Sequence, residues 1–380
     1  MSLRRIPNSR FWLLPLLTVL VLITGLNFST WPQKKLEKQL RALVNDEKAP
    51  PTAAQCASCH REICNEFVKT GHAQSLWPGD DPKVIARFAN LEYRWTSDGP
   101  LFRYVAEKDG LWLTQEGSPL RLHVDWVMGS GGKSQGLVQL ITNPSGETEM
   151  FEHLLAWYPS VGLAPALGND MKHFEPEGMA ALAQWQEHSN AKACIGCHST
   201  YVPVDHTGKI QSSQLIGTVG CVRCHPDAAR HLDQNGDPAA FREHWSKMSP
   251  QAVIDRCGEC HRRADETDPG DLNSEALRIV RFAPVGLSQS RCFKGQDVGD
   301  SNSPHVRLDC LSCHNLHRPL PKDQSVYQKV CNSCHYNEKG VGQPCQSQAQ
   351  TSNCVSCHMP NIATDTNLRF TDHWIRVHKQ

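Results

Sequence analysis

One pattern, Cys-x-x-Cys-His, occurs seven times in this chain. The copies are Cys56–Cys59–His60, Cys194–Cys197–His198, Cys221–Cys224–His225, Cys257–Cys260–His261, Cys310–Cys313–His314, Cys331–Cys334–His335 and Cys354–Cys357–His358. Two thiols separated by two residues can add to the two vinyl groups on one edge of a porphyrin. The histidine that follows then falls beneath the iron as its proximal ligand. A redox dithiol or half a zinc ribbon also uses Cys-x-x-Cys, but neither requires a histidine after every second cysteine. Disulfide frameworks do not require it either. The pattern therefore implies seven covalently bound c-type haems, and it places 14 of the 17 cysteines.

Twelve histidines lie outside the motifs. Seven haems with two imidazoles each need seven of them. His72 follows His60 by twelve residues and cannot fold back onto its own haem, so it points to a neighbour. His231 and His317 follow His225 and His314 so closely that each imidazole must serve a different haem. His373, in Phe370-Thr371-Asp372-His373-Trp374, completes the candidate distal set of His72, His231, His317 and His373. His153, His188, His244 and His305 are evenly balanced between ligand and ordinary polar residue. His123, His173, His206 and His378 read as surface or hydrogen-bonded residues. Methionine is the competing distal ligand, but Met359, directly after His358, faces the wrong way for that iron. Of the remaining cysteines, Cys292 and Cys345 are a candidate disulfide in an oxidising compartment, which leaves Cys64 over.

Charge and composition bound the partners. The chain has 380 residues with 39 Lys+Arg against 39 Asp+Glu, which gives no electrostatic case for nucleic acid. With 39% hydrophobic and 7% aromatic residues, a side-chain core looks thin. Arg4, Arg5 and Arg10 precede an uncharged run from Phe11 to Phe28, long enough for a membrane helix and longer than a usual signal h-region. The arginines leave the N-terminus in the cytoplasm. The expected location is the periplasmic side of the cytoplasmic membrane, held by this anchor. The alternative is export after signal cleavage.

These elements set an expected organisation. Residues 1–32 form the anchor or signal, 33–55 a polar tether, 56–90 the haem 1 segment, 91–180 a β-rich insertion without haem motifs, and 181–380 the haem 2 to haem 7 region. Within the insertion, Leu91, Tyr93 and Trp95 alternate, as do Phe102 and Tyr104, Leu111 and Leu113, Val124 and Trp126, and Val138 and Leu140. Turn formers separate them. Gly129-Ser130-Gly131-Gly132-Lys133-Ser134 has the composition of a phosphate loop without its spacing, and reads as a hairpin turn. From Cys194 the motifs recur at intervals of 27, 36, 53, 21 and 23 residues, too short for independent cores. Roughly 50 exported residues per haem must wrap the porphyrins, which then act as the apolar core. The expected fold is mostly α and irregular, haem-packed, with a small antiparallel β insertion between haem 1 and haem 2.

On these motifs the chain resembles bacterial heptahaem cytochromes, relatives of multihaem nitrite reductase, hydroxylamine oxidoreductase and the nitrifier tetrahaem cytochromes. The resembling segments are Gly71-His72-Ala73, Ser288–Phe293, Cys310–His317, Cys354–Pro360 and Phe370–Arg376. The resemblance implies distal positions for His72, His231, His317 and His373 and a role in electron transfer. It supplies no enzyme active site. The expected function is a membrane-anchored relay through closely packed bis-histidine haems. Its partners would be redox proteins or the quinol pool, with the inner membrane contacted through the N-terminal helix. The alternative is an oxidoreductase acting on a small nitrogen or sulfur compound at one open haem.

Overall fold

The computed structural model describes residues 49–169, 178–273, 275–297, 307–335 and 353–378. The Phe11–Phe28 run, most of the tether, His173, His305 and Cys345 lie outside them. Among the described residues, no helix is long and apolar enough to cross a membrane.

The chain begins with α1 (Ala53–Ala57), α2 (Arg61–Phe67), β1 (Leu76–Pro78) and α3 (Pro82–Phe88). Asp81 caps α3 through the Lys83 amide, with Pro82 in the first turn where its missing N–H costs nothing. Four strands follow as one antiparallel sheet: β2 (Glu92–Arg94), β3 (Leu101–Glu107), β4 (Gly110–Gln115) and β5 (Arg121–His123). The side-chain period of two sets its faces. Phe102 and Tyr104 are buried in β3 while Arg103 between them is exposed, and Leu111 and Leu113 are buried opposite in β4.

Strands β6 (Trp126–Met128), β7 (Gln135–Thr142), β8 (Thr148–Tyr158), β9 (Gly162–Pro165) and β10 (Ala183–Gln186) join β1 in a second, six-stranded antiparallel sheet. Its order is β1-β6-β7-β8-β10, with β9 pairing with β8. The loop 129–134 links β6 to β7. Gly129 (φ 103°) and Gly131 (φ 82°) turn it through the left-handed region that residues with a Cβ avoid, so this glycine-rich stretch is a hairpin connection. The two sheets are tied through a buried polar pair. Tyr104 Oη of β3 lies 3.1 Å from His153 Nδ1 of β8, and His153 Nε2 lies 3.3 Å from the His123 carbonyl.

The rest of the chain is built of short pieces: α4 (His188–His198), β11 (Ser199–Tyr201), β12 (Ile216–Gly217), α5 (Cys221–Cys224), α6 (Ala228–Asp233), α7 (Pro250–His261), α8 (Ala283–Gln289), α9 (Arg291–Lys294), α10 (Cys310–Cys313), α11 (Ser325–His335), α12 (Cys354–His358), β13 (Asn361–Ala363) and β14 (Arg369–Thr371). The longest of these helices, α7, has twelve residues.

The expectation of a mostly α protein is therefore corrected. Fourteen strands in four antiparallel sheets stand among the described residues, and the larger core clusters lie in and beside the sheets, with a smaller one of Ile254, Leu287 and Phe293 between α7, α8 and α9. The largest fully buried side chains, from Phe88 to Ile195, all lie in or beside the sheets. A fully buried Leu or Phe stabilises by about 1.5–3 kcal/mol, so this part of the chain can order itself by side-chain burial. Attachment motifs set only one helical turn each, and they dominate the sequence without dominating the fold. By contrast α11, which carries one motif, buries none of its residues.

Candidate haem-binding site

Each attachment motif is one turn of helix. In α5 and α10 the two cysteines are the first and last helical residues, so a spacing of three sets both sulfurs on one side. The histidine amide closes the turn on the first cysteine's carbonyl: His60 N to Cys56 O at 2.9 Å, His225 N to Cys221 O at 2.8 Å and His314 N to Cys310 O at 3.0 Å. The motifs of α4, α7, α11 and α12 end their helices, with His198, His261, His335 and His358 as last residues. Side-chain caps fix where several of these turns begin. Thr52 caps α1 with Gln55 in a capping box, Ser249 caps α7 ahead of Pro250, Asp309 caps α10 and Asn353 caps α12.

The structure brings histidines together in twos. His60 faces His231 with ring centroids 6.2 Å apart, and His72 faces His261 at 6.0 Å. His225 faces His317 at 6.1 Å with the rings nearly parallel, and His314 faces His373 at 6.3 Å. Every pair joins one motif histidine to one of His72, His231, His317 and His373. An iron held between two imidazoles needs two metal–nitrogen bonds of about 2 Å each, which with ~1 Å for each half ring gives about 6 Å between centroids. Tetrahedral zinc needs four ligands. Among the described residues, no group of three or more His, Cys, Asp or Glu converges on one point.

Backbone carbonyls orient several of these rings. Nδ1 lies 3.0 Å from Asp237 O in His231, 2.9 Å from Thr371 O in His373, 2.9 Å from Ser75 O in His198 and 3.0 Å from Arg376 O in His358. A proton on Nδ1 donated to the carbonyl leaves the Nε2 lone pair for a metal. Burial adds to this by holding imidazoles neutral, which is their ligating form. Desolvation pushes His72, His198, His225, His314 and His373 below the usual histidine range, and His261 down to about 4.

The β region reaches this site through Ser75. Its carbonyl accepts from the Gly129 amide of the hairpin at 2.7 Å and from His198 Nδ1, while its hydroxyl donates to the His198 carbonyl at 2.7 Å. Three residues earlier, His72 faces His261, and its own carbonyl accepts from Val219 N at 2.9 Å, just ahead of Cys221. The segment 72–75 thus spans three motifs. Among the described residues, no second imidazole stands in ring contact with His198 or His358.

The attachment sulfurs also meet across motifs. Cys56 contacts Cys221, Cys197 contacts Cys260, Cys257 contacts Cys310 and Cys331 contacts Cys354. Each sulfur marks a porphyrin edge, so neighbouring edges would lie close together. Several buried polar atoms in or next to the motif and ligand histidines lack a hydrogen-bond partner: Ser199 Oγ after His198, Arg230 Nε before His231, and His314 Nδ1; Arg230 Nη2 pairs with Asp227 at 3.7 Å. Buried groups are normally satisfied, and cationic and hydroxyl donors here suit the carboxylates of a porphyrin. The cysteines, the paired histidines and these donors fit covalently bound haem.

The other candidates go elsewhere. Both ring nitrogens of His153 are engaged in the β core. His123 Nδ1 meets Asp125, and His188 Nδ1 lies 2.8 Å from Thr148 O. His206 and His244 are exposed; His378 is the exception, lying against the backbone of His358 with its buried Nε2 without a hydrogen bond and 3.8 Å from Asp372. Cys64 and Cys292 are free thiols, and burial raises the pKa of each. Cys292's candidate partner Cys345 lies outside the described residues. Sequence reasoning missed Ser75, Asp237 and Thr371 as orienting groups because they act through carbonyls, which every residue has. It also missed Arg223, inside a motif, whose Nη2 lies 3.6 Å from Cys260 Sγ.

The Cytochrome c554 and c-prime family matches residues 167–226, which include the motifs at Cys194 and Cys221. The crystal structure of the outer cell wall cytochrome OcwA is similar to this chain with a TM-score of 0.50 at 15% identity. The match covers 85% of this chain and 78% of that one. The fold is that of a multihaem c-type cytochrome. No curated protein matches the sequence. Covalently bound haem c is the cofactor such a cytochrome carries, and the seven motifs are where this chain can attach it.

Proposed function

We propose that this protein is a heptahaem electron relay. One haem is held at each Cys-x-x-Cys-His motif, and His72, His231, His317 and His373 serve as distal ligands to the haems of His261, His60, His225 and His314. Bound haem supplies a one-electron iron couple, and the chain's part is to place the irons and set their potentials by ligation and burial. The observation that carries the reading is the set of four imidazole pairs at 6.0 to 6.3 Å. A capped iron has no position for substrate and is suited to electron exchange alone. The Phe11–Phe28 run supports a location on the periplasmic side of the cytoplasmic membrane, with a redox protein or the quinol pool as donor. The test is the intact mass of the holoprotein with near-infrared magnetic circular dichroism of its oxidised form. Seven haems, with at least four low-spin bis-imidazole centres, uphold the reading. Fewer than four such centres overturn it.

One observation favours a second reading, in which a small nitrogen or sulfur compound reacts at an open haem. No imidazole among the described residues faces His198, whose motif lies against the β region. Glu152 of β8 acts on Cys194 of that motif, and burial raises its pKa above the usual carboxylate range. A high-spin signal that shifts on adding hydroxylamine, and that disappears in His198→Ala, would decide for this reading.

A further inference from the structure

Three attachment motifs meet at one place. Cys260 touches Cys197 through its sulfur, and Cys257 of the same motif acts on Cys224. Arg223 stands between the two cysteines of its own motif and reaches into this meeting point. Its Nη2 is 3.6 Å from Cys260 Sγ, and its charge also bears on Cys197 and Cys224. Its side-chain contact is thus a sulfur and not a carboxylate. The neighbouring charges cancel each other: Arg256 Nη1 holds both carboxylate oxygens of Glu259, at 3.0 and 3.2 Å. Arg256 Nη2 also caps the Arg223 carbonyl at 3.4 Å. Glu243 also acts on Arg256, so Arg223 is the cation left in direct contact with the Cys260 sulfur, and a charge in contact is screened least by water and salt.

We propose that Arg223 is a potential-setting residue, whose guanidinium raises the reduction potential of the haem attached at Cys257 and Cys260. This makes that haem the collecting point between the haems of Cys194–Cys197 and Cys221–Cys224. The inference rests on the relay reading above. An electron from a reduced one-electron carrier takes ferric iron to ferrous, with no bond made or broken and no proton moved. Iron loses one unit of positive charge in this step, so a fixed cation nearby favours the reduced form. Cys257 meets Cys310 and Cys260 meets Cys197, so this motif adjoins those of Cys194, Cys221 and Cys310.

The test is a mediated spectroelectrochemical titration of the full-length holoprotein, comparing wild type with R223Q, R223K and R256Q. Haem count is checked by intact mass. In R223Q one low-spin haem should titrate lower, its reduced-to-oxidised ratio falling about tenfold at a given potential, or about 59 mV for a one-electron couple. R223K should recover most of the shift. R256Q lies outside the attachment motif and leaves Glu259 uncompensated, so it should shift the same haem in the same direction. It keeps the test open should R223Q attach fewer than seven haems. If R223Q and R256Q each superimpose on wild type with seven haems attached, the inference is overturned while the relay reading stands. If wild type itself takes up no electrons in the titration, the relay reading fails.

Discussion

His153 is the point at which pH should act on the β region. It is 0% exposed, and its two ring nitrogens meet Tyr104 Oη and the His123 carbonyl. Burial holds its pKa down to about 3, so it is neutral in the folded chain at any ordinary pH. In the unfolded chain it takes a proton near pH 6.5. The depressed folded value means that the stability it contributes is present above pH 6.5 and is lost as pH falls towards 3. At pH 5 the gap is about 1.5 units at 1.36 kcal/mol each, or about 2 kcal/mol. The substitution His153→Phe removes this titration. It also leaves the Tyr104 hydroxyl without its partner, costing about 1–3 kcal/mol at pH 7. Native-state hydrogen exchange at the β7 and β8 amides, corrected for intrinsic rates, measures both. Wild type should lead the variant by about 1–3 kcal/mol at pH 7, and the lead should shrink by about 2 kcal/mol at pH 5. A lead that stays constant between pH 7 and pH 5 would refute the reasoning.

Three further outcomes are expected. His317→Ala should remove one bis-imidazole low-spin signal, that of the His225 haem, with the other haems unchanged by electron paramagnetic resonance; His206→Ala, at an exposed position, should leave the spectrum as it is. Gly286→Ala should disturb the His373 side of another pair, because a Cβ there would stand 2.8 Å from Trp374 N and 3.0 Å from the His373 carbonyl carbon. Both are backbone atoms that cannot rotate away, so the low-spin signal of the His314 haem should shift or broaden. Asp227→Asn should lower the melting temperature. Arg242 gives the buried Asp227 carboxylate its backbone and side-chain hydrogen bonds and holds it below the usual carboxylate range. Wild type should lose this contribution as pH falls below 4, and the variant should lack that dependence.

The parts of the site that were legible in the sequence are those written locally. A motif of five residues contains its own helical turn, both sulfurs and its own histidine, so nothing distant is needed to recognise it. The candidate distal histidines were singled out by their nearness to motifs or by a short local context. Which motif each one faces was not legible. His72 meets His261 and His60 meets His231 only because segments far apart in the chain pack together. His153 shows the opposite failure. In sequence it is one more histidine among twelve, and only the buried contact between two sheets makes it a core residue. The fold class was misjudged for a related reason. The seven motifs drew attention to helical turns, whereas β7 and β8, with eight and eleven residues, carry pairing over distances that one-turn helices cannot. Alternation along Phe102–Tyr104 and Leu111–Leu113 signalled strands but gave no measure of how much of the packed core they would hold.

The central claim is that this chain holds its irons between pairs of imidazoles. Near-infrared magnetic circular dichroism of the oxidised holoprotein addresses it most directly, because it separates bis-imidazole haem from methionine-ligated and high-spin haem. The account predicts at least four bis-imidazole centres per chain, each lost singly in His72→Ala, His231→Ala, His317→Ala and His373→Ala. A spectrum dominated by methionine-ligated or high-spin haem, or one that none of the four substitutions alters, would contradict it.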